Sequence, residues 1–339
     1  MNLLMSKVGI IGLGFMGATH LKAWLQCEGA RIAAICNPSG RRLDGDFTDV
    51  SGNVGDQQPL KLDMTQVKAF RSFDAMLADP EIEVIDICTP THTHHDLAIA
   101  ALKAGKHVLC EKPMARHAHE ARAMAEAAQA AGKILMPAMC LRFWPGWAWL
   151  KEAVDRGRYG RVLSARFTRI AEPPAWGQAF FFDGAHSGGA LLDLHIHDTD
   201  FVRYLFGHPL KVESKGYTKV SGCIDHVMTR YEVASGALVH AEGSWAMAKG
   251  FGFRMAYTVN FEHATADYDL ARGDEALQVA ANGEKTTIKC EGTGHLPMIQ
   301  HLVRAVQSGT PPTVVTAEDG VAAIEVCEAE AASATLSLP

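Results

Sequence analysis

The sequence predicts two domains, an α/β domain built on a doubly wound parallel sheet and then an α+β domain built on an antiparallel sheet. Three observations predict them. The chain has 339 residues, more than one ordinary core accommodates. Its first 140 or so residues alternate near-continuous apolar runs with helical patterns, as a parallel sheet covered on both faces requires. Past residue 160 the runs alternate apolar and polar residues instead, the mark of strands with one wet face. The boundary falls between 1–141 and 142–339, with the C-terminal helix free to pack back on the first domain.

In order along the first domain, "KVGIIGL" reads as a strand and "ATHLKAWLQ" as a helix with Leu21, Trp24 and Leu25 on one stripe. "RIAAIC", "VIDICTP", "HVLCE" and "ILMPAM" are further strands. The alanine-rich "HDLAIAALKAG" and "AHEARAMAEAAQAAG" are the helices between them. Residues 38–63 break the rhythm. They are rich in Gly, Pro, Asp and Ser, and predict a long loop with little helix where a simple βαβ unit would place one. In the second domain "LSARFTRI", "HVMTRYEV" and "LQVAA" alternate, and the Asn282-Gly283 step in "ANGEKTTIKC" signals a tight hairpin. "LPMIQHLVRAVQSG" and "AEDGVAAIEVCEAEAASA" return the chain to helix.

Composition excludes several classes. A net charge of −6 argues against nucleic acid and against an anionic membrane surface as partners. No apolar run is long enough to span a bilayer, and the apolar start lacks the basic region of a signal peptide. None of the eight cysteines forms a C-x-x-C pair; four of them, Cys36, Cys88, Cys110 and Cys140, lie in or beside apolar runs. Reduced thiols used as small core residues fit best, and the expected compartment is the cytoplasm.

Between the first strand and the first helix lies "GLGFMG", that is Gly12-x-Gly14-x-x-Gly17. In this setting the three glycines serve, in turn, the tight turn, the approach of backbone to a pyrophosphate, and close helix–strand packing. The helix N-terminus offers N–H groups and a positive dipole end to the phosphates. This predicts a Rossmann domain that binds a dinucleotide, with Phe15 and Met16 at the two motif positions before Gly17. The second strand ends in Asn37, 25 positions after Gly12, where NAD-binding folds usually place a carboxylate for the ribose 2′-hydroxyl. Ser39, Arg41 and Arg42 follow, and a hydroxyl with guanidinium groups suits a 2′-phosphate. NADP is therefore slightly favoured over NAD. The arginines could equally be solvated loop charges, with Asp44 or Asp46 folding back to the ribose.

Thr89-Pro90 closes a strand and His94 precedes a helix. "GKHVLCEKP" then runs along the next strand into Glu111-Lys112-Pro113. A lysine at the carboxyl end of a parallel strand sits where such sheets bind ligands. "GGALLDLHIHDTDF" (188–201) crowds Asp193, His195, His197, Asp198 and Asp200 into eight positions. A metal site, an acid–base device and a capped surface helix all have this look. On a helix, Asp193 and His197 share a face, Asp200 joins them, and His195 and Asp198 point elsewhere as structural polar groups.

These motifs together resemble the glucose–fructose oxidoreductase, inositol dehydrogenase and MocA-type family (Gfo/Idh/MocA), along essentially the whole chain. The resemblance implies that Lys112, Asp193 and His197 form the catalytic set over the nicotinamide, and that Thr89, Pro90, His94 and Glu111 lie along the cofactor. It implies no metal. It also implies a large open sheet whose free face makes a homodimer or homotetramer, and sugars, cyclitols or their relatives as substrates. In that chemistry a histidine takes the alcohol proton, a cationic lysine stabilises the developing alkoxide, and an aspartate orients the imidazole or grips a neighbouring hydroxyl. Arg142 and Trp176, in "CLRFWPGWAWL" and "EPPAWGQAFFFDGAHSGG", are candidate substrate contacts beside the catalytic set, since aromatic faces stack on sugar C–H surfaces and arginine bonds hydroxyls. Packing between the domains is the other use for these tryptophans.

The expected function is hydride transfer between a nicotinamide and a secondary hydroxyl or ketone of a sugar, cyclitol or sugar derivative. Two rivals remain open: a redox-neutral lyase or glycosidase that oxidises transiently with bound NAD(P), and a non-catalytic dinucleotide-dependent sensor.

Overall fold

The computed structural model describes residues 5–50, 52, 58–174 and 177–337. The chain divides into two compact units, Met1–Cys140 with Gly294–Val321, and Leu141–Thr293 with Ala322–Pro339.

In the first unit the chain runs β1 (Ser6–Ile11), α1 (Phe15–Gln26), β2 (Ala30–Cys36), β3 (Lys68–Phe70), α2 (Phe73–Leu77), β4 (Val84–Ile87), α3 (His94–Lys103), β5 (His107–Cys110), α4 (Ala118–Ala131) and β6 (Leu135–Pro137). The six strands are all parallel, in the order β3-β2-β1-β4-β5-β6. The order reverses between β1 and β4, and ligands of doubly wound sheets bind at the carboxyl ends of the strands beside such a switch. The central strands are apolar because helices cover both faces, and every residue of β4 is buried. Residues 38–50 pass through turns without helix and close on an isolated bridge between Asp46 and Lys61. The short β3 and α2 are additional to the elements expected. β3 has only three residues and no buried side chain, so it carries no apolar run to read.

In the second unit come α5 (Pro145–Asp155), β7 (Val162–Ala171), α6 (Gln178–Phe181), α7 (Gly184–Ser187), a π-helical turn at Leu191–His195 and α8 (Ile196–Phe206). β8 (Lys211–Tyr217), β9 (His226–Glu232), β10 (Leu238–Ser244), β11 (Phe253–Phe261), β12 (Ala264–Asp269), β13 (Leu277–Ala281) and β14 (Glu284–Ile288) follow. The chain then forms α9 (His295–Ser308), α10 (Ala317–Ser333) and β15 (Thr335–Leu336). The sheet has nine strands in the order β14-β13-β12-β11-β7-β10-β9-β8-β15. It is mixed: β7–β10 and β8–β15 pair in parallel and the rest antiparallel. The helical crossover after β7 delivers β8 beyond its immediate neighbours, and the meander back brings β10 alongside β7 in the same sense. The predicted hairpin joins β13 and β14 through Asn282 and Gly283 with φ of 54° and 80°, as a two-residue primed turn requires.

One face of the sheet is apolar. Val227 and Tyr231 of β9 and Val239 and Ala241 of β10 are buried, and their alternates Met228, Arg230, Leu238 and His240 face outward. The core centres on Trp147 of α5, fully buried, with the Phe201 and Tyr257 rings edge-on at 4.8 and 5.1 Å. Trp147 is therefore a core residue of this unit.

Residues Gly294–Val321 count with the first unit, so that unit is discontinuous in sequence, unlike a simple division at residue 141. α9 buries Met298, Ile299 and Leu302 there, and Gln307 Nε2 donates to the Gly29 carbonyl at 2.8 Å. Among the described residues no helix is long and apolar enough to cross a membrane.

Candidate active site

The glycine turn after β1 divides its work as the motif requires. A Cβ on Gly12, whose φ is +93°, would lie 2.5 Å from the Cys88 carbonyl. A Cβ on Gly17 would run into the Gly12 carbonyl oxygen. Among the described residues a Cβ on Gly14 meets nothing within 4 Å, so on their side that backbone is open to a ligand. Gly14 is also the N-cap of α1 and has no side chain to cap the first turn. The residues present thus fit a dinucleotide pyrophosphate, with Phe15 and Met16 half-buried in the first turn.

At the end of β2 the polar residues close on each other. Asn37 Oδ1 accepts from Ser39 N–H and Oγ–H at 3.2 and 2.9 Å, and Asn37 Nδ2 donates to the Arg41 carbonyl at 2.8 Å. Arg42 adopts a positive φ of 61°. Its Nε and Nη2 donate to Asp49 at 2.8 and 2.7 Å, and its Nη1 donates to the Leu13 carbonyl at 2.8 Å. Arg42 therefore ties the 38–50 loop to the glycine turn, and its hydrogen bonds hold the Asp49 carboxyl below its usual range. Arg41 is exposed, 3.6 Å from Asp49. The signal for Asp49 was its place in the loop that breaks the βαβ rhythm, but spacing alone did not single it out.

His94 is buried at the start of α3 and clasps two strand ends. Its Nε2 lies 2.8 Å from the Thr89 carbonyl, past β4, and its Nδ1 lies 2.9 Å from the Pro113 carbonyl, past β5. Two acceptors favour a doubly protonated ring, while burial disfavours its charge. Thr89 Oγ1 and Thr93 Oγ1 pair at 2.7 Å beside exposed Pro90. Lys112 is half-buried two residues past the end of β5, its peptide bond to Pro113 is cis, and its N–H donates to Glu111 Oε2 at 3.0 Å. Glu111 itself is buried. Burial raises its carboxyl, and contact with His20 outweighs that and leaves it below its usual range. The cofactor candidates and Lys112 thus collect at the carboxyl ends of β2, β1, β4 and β5, four neighbours in the sheet.

His20, Asp86 and Cys88 gather at metal-like spacing beneath this surface. Asp86 already accepts from Trp24 Nε1 at 2.7 Å and from Cys88 Sγ at 3.4 Å, and burial pushes the Cys88 thiol far up. In this arrangement the three side chains are held by hydrogen bonds to one another and to Trp24.

In the second unit Gly188 and Gly189, with φ of 83° and 71°, turn the chain into the helix. Asp193 and His197 are half-buried, whereas His195, Asp198 and Asp200 are buried. The expected separation of Asp193 and His197 from His195 and Asp198 therefore appears. Asp200 does not join the half-exposed pair. Arg142 draws it into the core through bonds of 2.8 Å from Nε and 2.6 Å from Nη2, and the π turn widens the helix ahead of it and shifts its facing. Arg142 is itself buried and stacks 4.4 Å from the Tyr204 ring centroid, so its place is beneath the helix. Trp176 lies outside the described residues.

Asp198 pairs with Arg169, Nε to Oδ2 at 2.6 Å. His195 fits against Gly243, where a Cβ would come within 2.5 Å of its ring, and its Nε2 lies 3.1 Å from Tyr231 Oη. Tyr231 donates to Glu330 Oε1 at 2.5 Å and Thr199 Oγ1 donates to the same oxygen at 3.0 Å. Burial pushes the Glu330 carboxyl up to about 8 and the His195 imidazole down to about 3, so the network is neutral near pH 7. It anchors the helix that carries Asp193 and His197 to α10.

Residues 6–139 match the family described as "Oxidoreductase family, NAD-binding Rossmann fold", and residues 147–267 match the GFO/IDH/MocA C-terminal domain. The chain belongs to the Gfo/Idh/MocA family. It is an oxidoreductase of that family. It is similar to myo-inositol 2-dehydrogenase of Thermotoga maritima, at 27% identity over 94% of this chain and 93% of that one. It is also similar to levoglucosan dehydrogenase of Pseudarthrobacter phenanthrenivorans, at 28% identity over 81% of this chain and 76% of that one. A solved levoglucosan dehydrogenase in complex with NADH shares the fold, with a TM-score of 0.82 at 24% identity over 97% of this chain and 96% of that one.

Proposed function

We propose that the protein transfers a hydride between a nicotinamide dinucleotide and a secondary hydroxyl or ketone of a sugar or cyclitol. The observation that carries this reading is the pairing of a dinucleotide-type glycine cradle with half-buried Lys112 at the end of β5. The relatives named for inositol and levoglucosan support the substrate class.

In the direction of oxidation His197 takes the hydroxyl proton, as an imidazole suits near neutral pH. Lys112, as a cation, stabilises the charge developing on the oxygen. Asp193 orients the imidazole or accepts from a neighbouring hydroxyl. Reduction reverses these roles, with His197 as the acid. The bound nicotinamide supplies the hydride acceptor or donor. Outward-facing Met228 and Leu238 on β9 and β10 suit a homodimer or homotetramer.

For the dinucleotide, NAD is the better fit than the NADP that the arginines alone suggest. Arg42 is engaged by Asp49 and Leu13, and a 2′-phosphate beside them would meet the Asp49 carboxylate. Titration of nucleotide-free protein with NADH and NADPH, read by energy transfer from tryptophan, tests this. Tighter NADH binding is expected. Tighter NADPH binding, weakened mainly by Arg42→Ala, would refute it. The catalytic roles are tested by turnover of a panel including myo-inositol and levoglucosan. Lys112→Met and His197→Ala are each expected to lower kcat by about 100-fold or more with dinucleotide affinity kept. Undiminished turnover in either variant would remove that residue from the mechanism.

A further inference from the structure

Beneath the glycine turn the first unit carries buried charge that the proposed chemistry does not use. His20 lies on α1 three residues past Gly17 and is fully buried. Its Nδ1 is 2.9 and 3.1 Å from the two oxygens of Asp86, itself fully buried on β4. Its Nε2 is 2.8 Å from Glu111 Oε1, a charge contact that is not aligned as a hydrogen bond. An imidazole between two carboxylates is best satisfied as the cation, with both nitrogens protonated. Burial opposes that charge, but the Asp86 carboxylate outweighs it and holds His20 well above its ordinary range. His295 on α9, with its ring centroid 6.0 Å away, is pushed down to about 4 by burial and by the His20 charge, so it adds no second cation near neutral pH.

The two outer carboxylates have further work. Asp86 accepts from Trp24 Nε1 at 2.7 Å, which fixes its plane. Glu111 uses its second oxygen to accept the Lys112 N–H at 3.0 Å. A continuous run of contacts therefore leads from β4 through α1 to the backbone of Lys112. Three ionised groups are costly to bury, and a core built for stability alone would gain as much from apolar residues of the same volume. Such runs are kept where they hold a functional group in place.

We propose that His20 and Asp86 are positioning residues: they fix the Glu111 carboxylate, and through its bond to the Lys112 N–H they hold Lys112 in its working orientation. The inference rests on the reading of Lys112 as a catalytic group. The carboxylate of Glu111 acts on Lys112 twice, as an anchor for its backbone and as a counter-charge. His20 acts only through Glu111.

The test is the rate at which the Lys112 amine is acetylated by acetic anhydride, measured by mass spectrometry on the full chain against exposed Lys61 and Lys211 as internal references. In His20→Gln the Lys112 rate is expected to rise at least threefold with the reference lysines unchanged. Glu111→Gln, which is isosteric, is expected to do the same, and the double variant to go no further than Glu111→Gln alone, because one chain of contacts is broken in either case. A Lys112 rate unchanged in Glu111→Gln, or effects of the two variants that add, would overturn the proposal. If His20→Gln does not fold, Glu111→Gln and Asp86→Asn carry the test. Failure of the catalytic reading is seen separately, as turnover retained by Lys112→Met, and leaves the labelling result standing.

Discussion

Replacing Glu330 with glutamine is expected to leave stability almost unchanged in mild acid and to raise it progressively through neutral pH. In the folded protein burial lifts this carboxyl to about 8, against an ordinary value of 4.5. A raised carboxyl contributes fully below its unfolded value and loses that contribution as pH rises to its folded value, because the unfolded chain ionises first. The window is therefore about pH 4.5 to 8. At about 1.4 kcal/mol per pH unit the loss is on the order of 3 kcal/mol at pH 7 and 4–5 kcal/mol above pH 8. Glutamine keeps the shape and can still accept from Tyr231 and Thr199, but has no proton to lose. His195 titrates in the opposite sense, falling from its ordinary value to about 3, and contributes equally to both proteins. Urea unfolding of the two proteins from pH 5.5 to 8.5, followed by tryptophan fluorescence, would show the curves diverging with pH. Parallel curves, or a variant less stable at pH 8.5, would refute the neutral-network account.

Two further expectations concern the cradle and the core. Gly17→Ala places a methyl against the Gly12 carbonyl and should weaken NADH binding at least tenfold with secondary structure retained, as titration and circular dichroism would show. Asp200→Asn leaves the buried Arg142 guanidinium without its carboxylate, and a loss of about 3–5 kcal/mol is expected from urea unfolding. Substrate affinity lost without any change in stability would instead indicate a direct contact for that pair.

The parallel sheet was legible because its strands are buried on both faces and leave unbroken apolar runs such as "VGII" and "IAAIC". The hairpin at Asn282-Gly283 was legible because both positions need positive φ. The mixed character of the second sheet was not, since alternation reports a wet face and is silent about strand direction. The parallel β7–β10 pair is set by the crossover between β7 and β8. The same limit applies to the site. Glycine spacing revealed the cradle because each glycine answers a steric demand. Helical spacing separated Asp193 and His197 from His195, but the π turn and the pull of Arg142 removed Asp200 from their face. Asp86, an acid within an apolar strand, was the visible signal of the buried cluster. Its partners His20 and Glu111 lie 66 residues before and 25 residues after it, and no local pattern joins them.

The central claim is net hydride transfer, and the most direct measurement is stoichiometry. Purified protein is supplied with NAD and a cyclitol or sugar that it consumes, and reduced nicotinamide is counted against substrate lost. The account predicts one reduced nicotinamide for each molecule of substrate converted to its ketone. Consumption without reduced nicotinamide would mark a redox-neutral elimination, and no consumption across the panel in either redox direction would contradict the enzymatic reading itself.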